Sequence, residues 1–214
     1  VISPGSRKAP LTISFNRHPN FICHSVVDER CAAFFAMGMA QQLKVPVIIC
    51  CTSGSAALNY APAIVEAYYQ KIPLLILTAD RPPEWIDQMD GQTIRQSNIY
   101  ANYIKGSFDF PNSSKSVDDR WFAQRTVNEA IEMTQFPEAG PVHINIPLRE
   151  PLYGVHKYDG EILPKAFITT KTLLELPTLV LIHLPCLNSA SMSSDIEQMY
   201  VSDAKAFDVR KTET

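Results

Sequence analysis

No apolar run in this sequence approaches the ~20 residues that a membrane-spanning helix needs. None reads as the core of a signal peptide either. Charge of one sign is also lacking. The chain has 19 basic and 22 acidic residues, a net charge of −3, which leaves no electrostatic footprint for a nucleic acid. Cysteine is sparse: Cys23, Cys31, Cys50, Cys51 and Cys186 form no CxxC pair and no metal-ligand spacing. An odd number, mostly in apolar surroundings, points to reduced thiols and a cytoplasmic protein. The histidines are scattered, and His24 and His143 fall inside apolar stretches, where they read as hydrogen-bonded core residues. There is no G-x-G-x-x-G, no G-x-x-x-x-G-K-[ST], no H-E-x-x-H and no G-x-S-x-G. No dinucleotide fingerprint, P-loop, zinc-protease helix or nucleophile elbow is therefore on offer.

What is present is an alternation. Residues 21–27 read as a buried strand, and residues 31–43 as a helix with Ala, Phe and Met on its buried faces. Residues 45–51 form a β-branched apolar run, hence a strand, and 56–69 a helix stopped before Pro73. Strands follow at 74–78, 103–108 and 142–146, with a helix from Asp118 or Asp119 to about Gln135. A short helix at 10–17 comes first, with Ser6 able to cap it. Strand, helix, strand, helix is the pattern of an α/β fold: a parallel sheet with helices on both faces. Val1-Ile2 reads as the end of a strand that begins outside this sequence. Residues 153–177 read as a linker, and 178–214 as an uncertain, partial start of a second domain.

The polar residues gather at strand ends. Ser6 and Arg7 follow the first strand and Glu29 the second. Thr52, Ser53 and Gly54 follow the third, and Arg81 the fourth, with Gln92 in a polar loop after it. Ligands of open α/β sheets bind at the carboxyl ends of the strands. Each of these residues also has a plainer reading. Asp28 and Glu29 can complement a helix dipole. The hydroxyls of residues 52–55 can cap a helix, and the arginines can stabilise turns. One acid among cationic and amide groups suits a small anionic substrate and one acid–base step.

Several segments carry a family resemblance: SPGSR at residues 3–7, VVDERCAAFFAMGMA at 26–40, CTSGSAALNYAPAIVEA at 51–67, LTADRPPE at 77–84, GQTIRQ at 91–96 and GPVHINIPLREPLY at 140–153. In this order they resemble the SEPHCHC synthases (2-succinyl-5-enolpyruvyl-6-hydroxy-3-cyclohexene-1-carboxylate synthases). These are thiamine-diphosphate enzymes of menaquinone biosynthesis. The resemblance implies that residues 1–152 are the pyrimidine-binding domain of a three-domain transferase. The diphosphate and its metal ion, Mg2+ or Mn2+, would lie in a domain absent from this chain.

The resemblance also implies roles. Glu29 matches the glutamate that hydrogen-bonds the pyrimidine nitrogen of the cofactor and so helps to form the thiazolium ylide. That carbon adds to 2-oxoglutarate, carbon dioxide leaves, and the resulting carbanion attacks isochorismate. Pro4, Thr52, Ser53 and Gly54 match turns near the pyrimidine. Ser6, Arg7, Arg81 and Gln92 match substrate-binding positions, and a guanidinium suits the two dicarboxylates. Gly91 departs from the asparagine common in the family and supplies no side-chain amide. The partners implied are the two small molecules and a second copy of the chain, as homodimer or homotetramer, with no nucleic acid and no membrane. Another thiamine-diphosphate-dependent 2-oxo-acid enzyme, or a non-catalytic ligand-binding α/β module, remains an alternative.

Overall fold

The computed structural model describes residues 1–113, 116–150 and 152. Four parallel strands lie in the order β1 (Val47–Cys51), β2 (Leu74–Asp80), β4 (Val142–Pro147), β3 (Gly106–Asp109). Two short segments extend the sheet beyond β1. Ile2 bridges Cys50 on one side and Ser25 on the other, both in parallel sense. β2 is central and every one of its residues is buried. That explains its continuous apolar text, since a strand covered on both faces loses the polar–apolar alternation.

The helices are α1 (Ala9–Arg17), α2 (Glu29–Leu43), α3 (Ser55–Asn59), α4 (Ala61–Tyr69) and α5 (Val117–Gln135). Two apolar cores flank the sheet. One joins Leu11 and Phe15 of α1 to Leu75, Leu77, Ile144 and the inner face of α5. The other packs α2 and α4 against Ile49, Leu74 and Ile76. Ala32, Ala33, Ala36 and Ala40 are all fully buried, and these small side chains let α2 lie close on the sheet. Each fully buried Leu or Ile contributes about 1.5–3 kcal/mol.

Caps fix the helix ends. Asp28 accepts the Cys31 N–H at 2.8 Å, and Lys44, in left-handed conformation, donates its N–H to Ala40 O to close α2. Ser116 and Asp119 form a reciprocal capping box at α5.

Several expectations need correction. Residues 21–27 do not form a buried strand: only Ser25 pairs, while Ile22 is 64% and Val27 79% exposed. Phe34 and Phe35 are not on the buried face of α2, because the alanines occupy it. The helix expected at 56–69 breaks at Tyr60, next to Pro62, whose missing N–H and ring favour a fresh first turn. Ser6 does not cap α1 with its side chain; its carbonyl accepts the Ala9 N–H instead, and Lys8 holds the cap position. The strand expected at 103–108 is confined to β3, preceded by a turn of 3-10 helix at Ala101–Tyr103. The linker and second-domain segments lie outside the described residues. No helix among the described residues is long and apolar enough to cross a membrane.

Candidate functional site at the carboxyl edge of the sheet

All the strands run the same way, so their carboxyl ends share one edge. The turn after Ile2 lies against the turn after β1. A β-carbon on Gly5 would stand 2.4 Å from Thr52 Cβ. Thr52 and Ser53 are buried, while Pro4, Gly5 and Ser6 are exposed. Gly54 has φ +82°, and a β-carbon there would lie 3.0 Å from Gln92 O. Glycine is required on both counts, conformation and space. The loop bearing Gln92 is therefore seated on the Thr52–Gly54 turn, with the Gln92 side chain exposed.

Arg81 leaves β2 beside this loop. Its Nη2 donates to Gly91 O at 3.1 Å, and its Nε faces Asp90 Oδ2 at 2.8 Å. Arg7 behaves differently from Arg81. It is 5% exposed, donates to Leu148 O at 2.9 Å and pairs with Glu150 at 3.0 Å. Its charge thus ties the residue 3–7 turn to the end of β4.

Glu29 is the first residue of α2, directly after the Asp28 cap. It is half-buried and makes no hydrogen bond or ion pair among the described residues. Its charge reaches Lys8 and Cys51. Lys8 is buried, gives one hydrogen bond to Thr12 Oγ1 at 2.8 Å, and burial lowers its pKa. The Cys50 thiol is pushed up to about 11 by burial, so it stays protonated.

Beneath the rim lies a buried polar chain, of whose side chains sequence reasoning named only His143, as a hydrogen-bonded core residue. Thr78 Oγ1 donates to Asn145 Oδ1 at 2.8 Å. His143 Nε2, 2.7 Å from that hydroxyl, must then be the donor to it. Its Nδ1 is left to accept from Ser107 Oγ at 3.3 Å. Asn145 Nδ2 donates to Asp80 Oδ2 at 2.8 Å, and Asp80 Oδ1 accepts the Arg81 N–H. Gln96, 1% exposed, joins this chain through Nε2 to Asn145 Oδ1 and Ala79 O, both at 3.1 Å. Its Oε1 accepts the Gly54 N–H at 2.7 Å. Burial pushes Asp80 up to about 6 and His143 down to about 3. The available signal was a polar residue at matching depth in two apolar strands, Thr78 in β2 and Asn145 in β4, which are register partners.

The edge thus brings Pro4, Ser6, Thr52, Ser53, Gly54, Arg81 and Gln92 into adjoining turns, with Glu29 opening the neighbouring helix. Comparison with known families bears on what such an edge holds. Residues 1–99 match the model described as "Thiamine pyrophosphate enzyme, N-terminal TPP binding domain". The chain is also similar to 2-succinyl-5-enolpyruvyl-6-hydroxy-3-cyclohexene-1-carboxylate synthases. One from Cytophaga hutchinsonii is 56% identical over 153 residues, covering 72% of this chain and 27% of that protein. One from Bacteroides fragilis is 46% identical over 171 residues, covering 80% and 30%. One from Desulfotalea psychrophila is 48% identical over 173 residues, covering 81% and 31%. The chain therefore spans less than a third of the length of these curated relatives.

Proposed function

We propose that residues 1–152 are the pyrimidine-binding domain of a thiamine-diphosphate-dependent synthase. The complete enzyme would add 2-oxoglutarate, with loss of carbon dioxide, to isochorismate in menaquinone biosynthesis. The observation that carries this reading is Glu29: a carboxyl at the carboxyl edge of the sheet, half-buried and with no hydrogen-bond or ion-pair partner among the described residues. A carboxyl so placed is available to a ligand atom, whereas its neighbour Asp28 is committed to the helix cap. That the similar proteins are synthases of a cyclohexene carboxylate supports the reading.

Thiamine diphosphate, when bound, supplies a carbon nucleophile and a sink for the electron pair released with carbon dioxide. This chain's residues would do the rest on their side of the site. Glu29 shares a proton with a ring nitrogen of the pyrimidine. The buried Thr52–Gly54 turn, held against Gly5, gives the ring a fixed wall. Arg81, whose Nη1 has no partner among the described residues, would reach a substrate carboxylate. Gln92 offers an amide beside it, and Ser6 a hydroxyl. Arg7, already paired with Glu150, anchors the turn that presents Ser6.

On this reading the diphosphate and its Mg2+ or Mn2+ belong to a region of the relatives that this chain does not span. A second subunit completes the site in a homodimer or homotetramer. The decisive assay follows carbon dioxide release and product by the complete enzyme. It compares 2-oxoglutarate plus isochorismate with pyruvate alone. Turnover of the pair supports the reading, and turnover of pyruvate alone overturns it.

A further inference from the structure

We infer that Gln96 is a positioning residue: through its buried amide it fixes the loop carrying Gln92, and with it Arg81, over the Thr52–Gly54 turn. The inference deepens the functional reading above and rests on it for the identity of the substrate.

The geometry leaves the amide no freedom. Oε1 accepts from Gly54 N at 2.7 Å, while Nε2 donates to Ala79 O and to Asn145 Oδ1, each at 3.1 Å. Three elements meet at one side chain: the turn after β1, the end of β2 and the end of β4. One acceptor and two donors are all used, and flipping the amide would set Nε2 against the Gly54 N–H. A buried polar group with every partner satisfied fixes a single arrangement.

The loop outward of Gln96 has few other holds. Gln92 O stands against the Gly54 α-carbon, Arg81 reaches back to Gly91 O and Asp90, and Arg95 pairs with Asp87 in the open. Gln96 is thus the buried anchor of a segment whose other ties lie at or near the surface. The Gly54 N–H, taken by Gln96, is also removed from the set that a ligand at this turn can use.

Two variants in the complete enzyme test this. Gln96→Ala removes all three hydrogen bonds. Gln96→Glu keeps the shape and the acceptor for Gly54, but when ionised sets a carboxylate oxygen against Ala79 O and Asn145 Oδ1. Loss of folded enzyme alone would lower kcat and leave KM unchanged. Displacement of the Gln92 loop raises KM for the dicarboxylate substrates, by roughly tenfold for one lost buried hydrogen bond. For Gln96→Glu, KM climbs with pH as the new carboxyl ionises, more steeply than in the parent enzyme, where Asp80 is the carboxyl of this chain. Hydrogen exchange gives an activity-free readout: amides of Gly54 and residues 90–96 exchange faster in both variants. Unchanged exchange there, or a fall in kcat with KM and its pH profile unmoved, overturns the positioning role. Failure of the parent enzyme to turn over the substrate pair overturns the functional reading instead, and the exchange result still decides the role of Gln96.

Discussion

Gly5 and Thr52 approach so closely that a β-carbon on Gly5 would stand 2.4 Å from Thr52 Cβ and 2.7 Å from its Cγ2. The turn after Ile2 and the turn after β1 are therefore pressed together by the absence of one carbon atom. Gly5→Ala should destabilise the domain by about 1–3 kcal/mol, the usual cost of overpacking. Because the nearest atom is the β-carbon, Thr52→Ser should not restore the loss. Thermal or urea denaturation of the single and double variants checks both statements, and full rescue by Thr52→Ser would refute the geometry.

Asp28 and Glu29 are chain neighbours with opposite commitments. Asp28 is fully engaged: hydrogen bonds from the Cys31 backbone lower its pKa. Asp28→Ala should cost about 1 kcal/mol of stability, as for a lost N-cap, and leave turnover largely intact. Glu29→Gln should leave the melting temperature within a degree or two, about what a neutral surface change gives. It should lower turnover of the complete enzyme by about 10²–10⁴-fold, the usual weight of a positioned acid–base group. Melting curves and carbon dioxide release on the two variants check this. Glu29→Gln with normal turnover would exclude the role given to that carboxyl.

The alternation of strand and helix was legible because β2 opens on four apolar residues, 74–77, β4 alternates polar residues with Val142, Ile144 and Ile146, and α5 announces itself by Asp118 and Asp119 in its first turn, two residues inside the Ser116 cap. The edge residues were legible only as members of quoted motifs, since a strand-end arginine reads the same whether it binds a ligand or a turn. Arg7 shows why: its burial and its pairing with Glu150 come from contacts across 141 and 143 positions of sequence. Residues 21–27 misled because apolar text marks burial in general, and here a single bridge at Ser25 leaves Ile22 and Val27 in the open. Gln96 was invisible for a related reason. Nothing local distinguishes a buried glutamine from an exposed one, and its partners come from one turn and two strands, 17 to 49 positions away.

Asp80 and His143 belong to one hydrogen-bonded chain but act on stability with opposite sign. Burial raises Asp80 from 3.8 to about 6 and lowers His143 from 6.5 to about 3. Between pH 3.8 and about 6 the folded state holds a proton on Asp80 that the unfolded chain has released, so this contribution falls as pH rises. Between about pH 3 and 6.5 the unfolded chain holds a proton on His143 that the folded state lacks, so this contribution rises with pH. The two slopes oppose each other from about pH 4 to 6. Asp80→Asn removes one of them. Stability of the variant should then climb with pH in that window by up to about 1.4 kcal/mol per unit, the limit for one proton. Urea denaturation at half-unit steps checks it. A variant profile no steeper than the parent's would rule out the assignment.

Lys105 closes the far end of α5. Its ammonium donates to the carbonyls of Met133, Phe136 and Glu138, while its own N–H reaches Pro141 O at 2.8 Å. Its stem lies where a side chain on Gly140 would be, with Cδ 2.7 Å from that position. The last carbonyls of a helix have no partner within it, and a lysine beside them both donates and complements the dipole. Partial burial lowers the lysine pKa, while Glu138 opposes that shift. Lys105→Met keeps the stem over Gly140 and deletes the three donors, so the loss is electrostatic rather than one of packing. It should cost about 1–3 kcal/mol, the penalty for leaving polar groups unsatisfied near the interior. Amide exchange should quicken in residues 133–140 first, since those carbonyls set the path of the chain into β4. Unaltered exchange there, with unaltered stability, would mean that solvent replaces the ammonium without cost.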